Sequence, residues 1–334
     1  MMYDFGFRLD LGKCVGSGHF FRCYSIAQEL LKYGHTVIFI VNNGAELKKH
    51  LRNTIPFFVL SNDSEIKKIK QCKIYLENIN HLIVDLPFKN ELYSKYFKNF
   101  TNVTIFDDLG NKKFFSKYLF NGSIVESFHN YDIQSDNPHV FLGFKYMIIR
   151  KEFLKQRKKF LILNSPIKKI LLTFGGSDSE NLAEKILPFF FKKNFYVTVI
   201  LGPSYTHFNK ILKISQRHDN ILILNNTTNL AEIFSKQDLV ISSSGITAYE
   251  LSHVGVPTIF IPSELHEIKT ANALVEHGFG LNFGKWDGNF KKLEDMICSL
   301  NDYKERKKMF YSGRKLIDGK GLSRIVKILH SARS

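Results

Sequence analysis

The chain of 334 residues has the composition of a folded globular protein, with 44% hydrophobic and 23% charged residues. Its length predicts about two domains, each large enough to bury a core of its own. Lysine and arginine outnumber aspartate and glutamate by 47 to 31, and the resulting charge of +16 indicates an anionic partner. The basic residues are scattered and form no aromatic-interleaved stripe, so we expect that the partner is not a nucleic acid.

Cysteine usage and hydropathy bear on location and cofactors. The four cysteines lie far apart without a C-x-x-C motif, which is typical of reduced thiols in a cytoplasmic protein. No Asp-x-Asp run and no His/Cys cluster supplies metal-ligand spacing, so we expect neither a metal nor a cofactor. No apolar run reaches the ~18 residues of a membrane span, and no signal peptide precedes the first strand. We therefore expect a cytoplasmic protein; proximity to a membrane surface and the oligomeric state stay open.

A histidine follows a glycine loop near the N-terminus. The apolar run Tyr3–Leu9 predicts a strand, Gly16 and Gly18 a tight loop, and Phe20–Tyr33 an amphipathic helix. His19 then lies where backbone N–H groups and the positive helix end favour a phosphate. The same dipole disfavours an imidazolium, which suits a neutral imidazole acting as a base. The alternative is an ordinary residue at a helix start.

Other residues near this loop have open roles. Asp10 could hold the ring of His19, and Arg22 could contact a ligand or simply cover the helix. The loop does not follow the G-x-G-x-x-G pattern and no acidic residue ends the next strand, which disfavours a dinucleotide site. Asp107 and Asp108 are adjacent and follow a strand, so we expect them to cap a turn or to line a cleft.

Short apolar runs alternate with helical periodicity along the whole chain, which predicts βαβ units and parallel sheets. In the first half we predict strands at residues 3–9, 36–41, 57–60, 81–86, 103–106 and 122–126. A basic segment at 151–169 links the halves, and the second half has predicted strands at residues 170–174, 196–201, 221–224, 239–242 and 258–261. Two Rossmann-like halves of this kind direct the carboxyl ends of their strands into a cleft between them.

The strand at 170–174 ends in Gly175-Gly176-Ser177-Asp178, and residues 180–191 then read as a helix. Glycines at this point allow the backbone to approach a pyrophosphate closely. The alternative is a helix cap supplied by Ser177 or Asp178.

The strand at 239–242 ends in Ser243-Ser244-Gly245 and is followed by a helix that carries Glu250. Loop N–H groups can hold phosphates, and one carboxylate can accept both vicinal hydroxyls of a ribose. The alternative makes Glu250 a solvated helix residue. Further on, polar residues up to Asn272 begin another helix and could meet a sugar; the alternative there is a surface helix start.

These motifs in this order resemble the GT-B nucleotide-sugar enzymes. More closely than the GT-B enzymes in general, the chain resembles the UDP-2,4-diacetamido-2,4,6-trideoxy-β-L-altropyranose hydrolases of pseudaminic acid biosynthesis and their spore-coat relatives. The resemblance spans nearly the whole chain, and its matching pieces are Phe7-Arg8-x-Asp10, Gly16-x-Gly-His19 with Arg22, Phe106-Asp-Asp108, the string from Gly143 to Phe153, Gly175-Gly-Ser-Asp178 with Asn181-Leu182, and Asp318 to Arg324. The Gly143–Phe153 string is specific to the hydrolases.

The resemblance implies an α/β, GT-B-like fold, with UDP bound mainly to the C-terminal domain. We expect an N-terminal domain at 1–155, a UDP-binding domain at 166–320, and a helix at 321–334 that packs on the N-terminal domain. It also implies metal-independent hydrolysis of a UDP-sugar to UDP and free sugar, feeding nonulosonic acid synthesis. His19 and Asp10 are the expected catalytic residues, and the expected substrate-binding residues are Gly16, Gly18, Arg22, Phe88, Gly175, Gly176, Ser177, Ser243, Ser244, Gly245, Glu250 and Asn272.

The sequence departs from the hydrolase pattern at one place. The family tends to carry Asp-x-Tyr after the fourth strand, whereas this chain has Asp85-Leu86-Pro87-Phe88, with Phe88 as a partial aromatic substitute. In addition, the Ser243–Glu250 string is closer to the N-acetylglucosaminyl transferases of peptidoglycan precursor synthesis. A GT-B transferase with a UDP-N-acetyl amino sugar donor is therefore the alternative, and it predicts an exposed apolar patch on the N-terminal domain.

Overall fold

The computed structural model describes residues 2–12, 17–50, 55–61, 63–100, 102–134, 137–157, 166–225, 227 and 229–332. It divides into two compact units, unit 1 with residues 1–148 and 320–334, and unit 2 with residues 149–319. Within the described residues, no helix is long and apolar enough to cross a bilayer.

Unit 1 is built on a seven-stranded parallel sheet in the order β3-β2-β1-β4-β5-β7-β9, and β6 and β8 form a separate parallel pair. The strands are β1 (Tyr3–Leu9), β2 (Val37–Val41), β3 (Phe57–Val59), β4 (Ile79–Asp85), β5 (Val103–Phe106), β6 (Lys112–Phe114), β7 (Tyr118–Asn121), β8 (Tyr131–Ile133) and β9 (His139–Leu142). The helices are α1 (Ser17–Lys32), α2 (Gly44–His50), α3 (Glu65–Leu76) and α4 (Asn90–Tyr96).

Both faces of this sheet are covered, because every β1 residue from Asp4 onward is buried. One apolar cluster joins Phe7, Phe39 and Ile26 of α1, and the other joins Leu82, Ile105 and Ile69 of α3. Continuous apolar strands of this kind are what a parallel sheet buried on both sides requires.

Unit 2 repeats the architecture with a six-stranded parallel sheet in the order β12-β11-β10-β13-β14-β15. Its strands are β10 (Lys169–Thr173), β11 (Tyr196–Leu201), β12 (Ile221–Asn225), β13 (Leu239–Ser242), β14 (Thr258–Phe260) and β15 (Leu281–Asn282). Its helices are α5 (Lys151–Lys155), α6 (Leu182–Ile186), α7 (Phe208–Ser215), α8 (Leu230–Ser235), α9 (Ile246–Val254), α10 (Leu265–Glu276), α11 (Phe290–Ser299) and α12 (Tyr303–Leu316). The last helix, α13 (Gly321–Ser331), belongs to unit 1.

Several sequence-based boundaries differ from the structure. The expected strand at 122–126 is wrong: the chain is extended at Tyr118–Asn121, and Glu126–Phe128 is a 3₁₀ turn. The expected helix at 180–191 is a five-residue helix continued by a 3₁₀ turn. Pro188 lies in that turn and has no backbone N–H for an α-helical hydrogen bond.

The two units also divide earlier than we expected. We placed residues up to 155 in the N-terminal domain, whereas the structure assigns Ile149 onward to unit 2. The reason is local packing, because the ring of Phe153 in α5 lies 5.5 Å from that of Phe234 in α8. Arg150 therefore belongs to unit 2.

Candidate functional site

In unit 1 a charged cluster forms where strand order reverses. The chain leaves β1 towards β2 on one side, whereas β4 lies on its other side, and such a switch point opens a crevice at the carboxyl ends of the strands. His19 and Arg22 come from the first turns of α1, Asp85 is the last residue of β4, and Asp108 follows β5. We call these four residues the His19 cluster.

Within the His19 cluster, Asp85 holds the histidine ring. Nδ1 of His19 lies 2.6 Å from Oδ1 of Asp85, whose side chain is fully buried. The contact assigns the proton of a neutral imidazole to Nδ1 and leaves the lone pair on Nε2. No described residue hydrogen-bonds to Nε2, and the His19 side chain is 22% exposed. The ring can therefore accept a proton from a molecule in the crevice.

Arg22 binds both carboxylates of the cluster. Its Nε donates to Oδ2 of Asp85 at 2.7 Å and its Nη2 donates to Oδ1 of Asp85 at 2.7 Å. Its Nη1 donates to Oδ1 of Asp108 at 2.6 Å. Arg22 therefore does not extend towards solvent as a free cation, and its expected contact with a substrate stays a prediction.

The protonation of His19 follows from these charges. Burial by itself lowers the pKa of the imidazole, but the Asp85 carboxylate outweighs burial and the pKa of His19 is raised. Burial likewise opposes the Asp85 anion, yet Arg22 and His19 hold the pKa of Asp85 well below its ordinary value. The Asp85 carboxylate at 2.6 Å thus acts on the proton affinity of His19 in the direction opposite to the helix dipole, which disfavours the imidazolium.

Asp10 does not hold His19, contrary to our expectation. Its Oδ1 accepts from Nη1 of Arg8 at 2.8 Å, and its Oδ2 accepts from Nζ of Lys89 at 3.0 Å. Arg8 is fully buried and also donates to the hydroxyl of Tyr93. Asp10 therefore neutralises a buried arginine beneath the crevice.

The remaining predicted residues of unit 1 fall in three places. Gly16 lies outside the described residues. Gly18 is the second residue of α1, so the helix begins before the glycine rather than after His19. Phe88 is 84% exposed and has a φ of 60°. A bulky residue with positive φ is strained, and such strain concentrates at functional sites.

The two adjacent aspartates after β5 have different roles. Oδ2 of Asp107 accepts from the backbone N–H of Gly110 at 2.8 Å and caps the turn. Asp108 alone joins the His19 cluster. Among the described residues, no group of three or more His, Cys, Asp or Glu side chains has an arrangement that could hold a metal ion.

In unit 2 the glycine and serine loops also lie at a switch point, after β10 and after the neighbouring β13. Gly175, Gly176 and Ser177 are exposed, and Gly175 has a φ of 78°. Gly202, at the end of β11, packs so closely on this loop that a Cβ there would overlap the backbone of Gly176. The loop is thereby fixed with its backbone open to solvent.

Asp178 caps the helix that follows this loop. Its two carboxylate oxygens accept from the backbone N–H groups of Leu182 at 2.7 Å and Ala183 at 2.9 Å. This is the cap that we weighed as the alternative for the motif, and it leaves Ser177 uninvolved in capping.

The serine loop after β13 leads directly into α9. Ser243 is buried, and the Oγ of Ser244 donates to the carbonyl of Glu267 at 2.7 Å. Gly245 is the N-cap of α9 and makes no side-chain cap. Nine-residue α9 therefore presents its first N–H groups without a capping side chain, and such a helix end favours an anion.

Glu250 is buried and paired, not a solvated helix residue. Arg150 donates from Nε to Oε1 of Glu250 at 2.6 Å and from Nη2 to Oε2 at 2.8 Å, while only 1% of the glutamate side chain is exposed. Each carboxylate oxygen keeps a second lone pair, so the arginine orients the acid without exhausting its capacity as an acceptor.

Asn272 lies in the exposed middle of α10. Its Oδ1 accepts from Nδ2 of Asn282 at 2.6 Å, and Asn282 pairs in register with Phe260, the last residue of β14. The start of α10 is stabilised by Glu267 instead. Its Oε2 accepts hydrogen bonds from the backbone N–H and the hydroxyl of Ser263.

Sequence reasoning missed two functional candidates, Asp85 and Arg150. Asp85 had a signal, since it is an acidic residue directly after the apolar run Leu82–Val84 of a buried strand, but it was named from the sequence only for the departure that follows it. Arg150 had a signal in the Gly143–Phe153 string, which carries no hint of its partner 100 positions later.

Comparison with known proteins agrees with this architecture. Residues 170–316 match the C-terminal domain of glycosyltransferase family 28. The solved structures of MurG from Acinetobacter baumannii and of the spinosyn rhamnosyltransferase SpnG with thymidine diphosphate superpose with TM-scores of 0.63 and 0.68 at 14% and 11% identity. The MurG superposition covers 98% of this chain and 99% of MurG. The SpnG superposition covers 100% of each chain.

Curated relatives are more similar in sequence. An uncharacterized protein of Methanocaldococcus jannaschii is 30% identical over 74% of this chain, which spans 53% of that relative's length. The spore coat polysaccharide biosynthesis protein SpsG of Bacillus subtilis is 24% identical over 97% of both chains. The UDP-2,4-diacetamido-2,4,6-trideoxy-β-L-altropyranose hydrolase of Campylobacter jejuni is 26% identical over 72% of this chain and 85% of its own. The protein thus has the GT-B fold with two Rossmann-like units, and the comparisons support a glycosyltransferase-like family.

Proposed function

We propose that this protein hydrolyses a UDP-linked diacetamido-trideoxy sugar, UDP-2,4-diacetamido-2,4,6-trideoxy-β-L-altrose, to UDP and the free sugar. The product would feed nonulosonic, specifically pseudaminic, acid biosynthesis. The observation that carries the proposal is the His19–Asp85 pair, an oriented imidazole whose Nε2 is bonded by no described residue. The similarity to the Campylobacter jejuni hydrolase supports the choice of substrate.

In the proposed reaction, Nε2 of His19 removes a proton from water, and the water oxygen forms a bond to the anomeric carbon. The bond from that carbon to the β-phosphate oxygen breaks, and its electron pair leaves with UDP. The imidazolium then returns its proton to solvent. Asp85 stabilises that imidazolium and fixes the tautomer, as a carboxylate partner does for a general base.

The proposed role of unit 2 is to bind UDP. The backbone of Gly175 and Gly176 and the first turn of α9 would neutralise the pyrophosphate, which lowers the energy of the departing anion without proton transfer. Glu250, oriented by Arg150, would accept the two ribose hydroxyls. The net charge of +16 favours a substrate with two phosphates.

A transferase is the second candidate, and one observation favours it. Phe88, Leu92 and Tyr96 follow each other at four-residue spacing around α4 and are exposed by 84%, 36% and 39%. An acceptor with an apolar tail would need such a stripe. A Leuconostoc mesenteroides UDP-N-acetylglucosamine–N-acetylmuramyl-(pentapeptide) pyrophosphoryl-undecaprenol N-acetylglucosamine transferase is 33% identical over 33% of both chains.

One experiment separates the two candidates. The purified protein is incubated with the UDP-diacetamido sugar in buffer alone, and UDP and free sugar are quantified by chromatography. We expect both products in equal amounts with no acceptor present. Release of UDP only from a UDP-N-acetyl amino sugar and only with a lipid-linked acceptor would establish the transferase instead.

A further inference from the structure

Asp85 has two cationic or potentially cationic partners on the same oxygen. Oδ1 of Asp85 lies 2.6 Å from Nδ1 of His19 and accepts from Nη2 of Arg22 at 2.7 Å. The same Nη2 lies 3.2 Å from Nδ1 of His19. The arginine therefore competes with the imidazole for one carboxylate oxygen.

The arginine is itself held in place from three sides. It donates to Asp108 from Nη1 at 2.6 Å and from Nη2 at 3.0 Å, and its guanidinium lies 5.4 Å from the centroid of the Phe106 ring. Only 12% of its side chain is exposed. A planar guanidinium fixed in this way cannot move away from Asp85 when the histidine becomes charged.

We propose that Arg22 is a positioning residue that shares Asp85 with His19 and so keeps the imidazole a base near neutral pH, with Asp108 as the opposing charge. The inference rests on the proposed function of His19. With Asp85 as its only charged neighbour, the imidazole would hold its proton more tightly and would stay protonated to a higher pH. Arg22 weakens that hold by drawing the carboxylate's charge and by its own repulsion.

The charged and titratable groups around His19 agree with this assignment. Asp85 on β4 and Asp108 after β5 favour the imidazolium, whereas Arg22 on α1 disfavours it. The Cys23 thiol on α1 lies 3.6 Å from Oδ2 of Asp85, and burial holds its pKa well above the ordinary value, so it stays neutral. Removing Arg22 and removing the charge of Asp108 should thus change the affinity of His19 for protons in opposite directions.

The test measures the titration of His19 directly. The histidines are labelled with ¹³C, the His19 resonance is assigned by its loss in His19→Gln, and its midpoint is followed by NMR in the wild type, Arg22→Gln and Asp108→Asn. We expect the midpoint to rise by about one pH unit or more in Arg22→Gln and to fall by a smaller amount in Asp108→Asn, as expected for charges at this distance. Arg22→Lys keeps the charge and should restore most of the wild-type midpoint.

The pH profile of kcat/KM gives the second readout. In Arg22→Gln its acid limb should move up with the NMR midpoint, so that turnover lost at pH 7 returns at higher pH. Unchanged midpoints, or shifts of the same sign in both variants, would overturn the inference. A uniform loss of turnover at every pH would assign Arg22 a purely structural role.

Failure of the proposed function and failure of the inference about Arg22 give different results. If the wild type releases no UDP in water, the proposed function fails, while the NMR midpoints still decide whether Arg22 sets the protonation of His19. If Arg22→Gln does not fold, Arg22→Lys and Asp108→Asn carry the test. Asp108 is 37% exposed, and in Asp108→Asn the Asp85 carboxylate still neutralises Arg22.

Discussion

The two switch points of this molecule have the same strand order but opposite chemistry. In unit 1 the carboxyl ends of the strands carry titratable side chains, with His19 held by Asp85 and Arg22 held by two carboxylates. In unit 2 the equivalent edge carries glycines and serines; Asp178 caps a helix there, and Glu250 is neutralised by Arg150. One region is suited to move protons, and the other to bind an anion through backbone groups.

The contrast teaches that a fold repeated within one chain can separate chemistry from binding. Backbone N–H groups bind phosphate at any pH near neutrality, whereas an imidazole beside a carboxylate changes its charge there. Variants in the two regions should therefore change different constants, and each prediction below tests that separation.

The largest effect is expected at His19. His19→Ala should lower turnover by about 10²–10⁴-fold, the usual contribution of a positioned base. UDP affinity by calorimetry should stay near that of the wild type, and the melting temperature should change little because the side chain is partly exposed. The matched control is His277→Ala on an exposed helix end of unit 2. A folded His19→Ala protein with near-native hydrolysis would exclude His19 as the general base.

The next effect is expected at Glu250. Glu250→Ala should weaken UDP binding by tenfold to a hundredfold, as expected for loss of about 1.5–3 kcal/mol from a hydrogen bond to a charged group. It should also lower the melting temperature, because Arg150 loses the partner that neutralises it. Glu232→Ala, at a partly exposed position of α8, is the control. Unchanged UDP affinity in a folded variant would exclude Glu250 from the site.

A smaller effect on turnover is expected at Phe88, where backbone strain and contact with the substrate can be told apart. Glycine adopts a φ of 60° without strain, so Phe88→Gly should not lower the melting temperature. Turnover should fall by about tenfold if the ring stacks on the substrate, since such contacts contribute ~1 kcal/mol. Leu92→Ala, four residues along the same stripe, is the comparison. Lost stability with normal turnover would make Phe88 a structural residue.

No effect is expected from chelation. Turnover measured after EDTA treatment should equal that of the untreated protein, because backbone groups and not an ion are proposed to neutralise the pyrophosphate. Activity that is lost and then restored by Mg²⁺ or Mn²⁺ would contradict this and would assign unit 2 a different way of binding phosphate.

Local sequence signals predicted the elements and most of their positions. The strands Tyr3–Leu9, Val103–Phe106 and Leu239–Ser242 have the bounds that their apolar runs predict. The 118–142 region was mispredicted, because its strands are only three or four residues long and alternate with turns. The glycine and serine loops were also found from sequence, since a strand followed by small residues and a helix is a local pattern.

What the sequence alone determined is the repeated βαβ order, and with it the fold and the edge of each sheet at which a site forms. Which side chains meet at that edge was decided only by the tertiary structure. Asp85 lies 66 positions from His19, and Arg150 lies 100 positions from Glu250. Periodicity extends over one helix or strand, whereas these ion pairs depend on which strands are neighbours and where each of them ends. Asp10, close to His19 in sequence, was the natural candidate for its partner, but buried Arg8 required that carboxylate and left the histidine to Asp85.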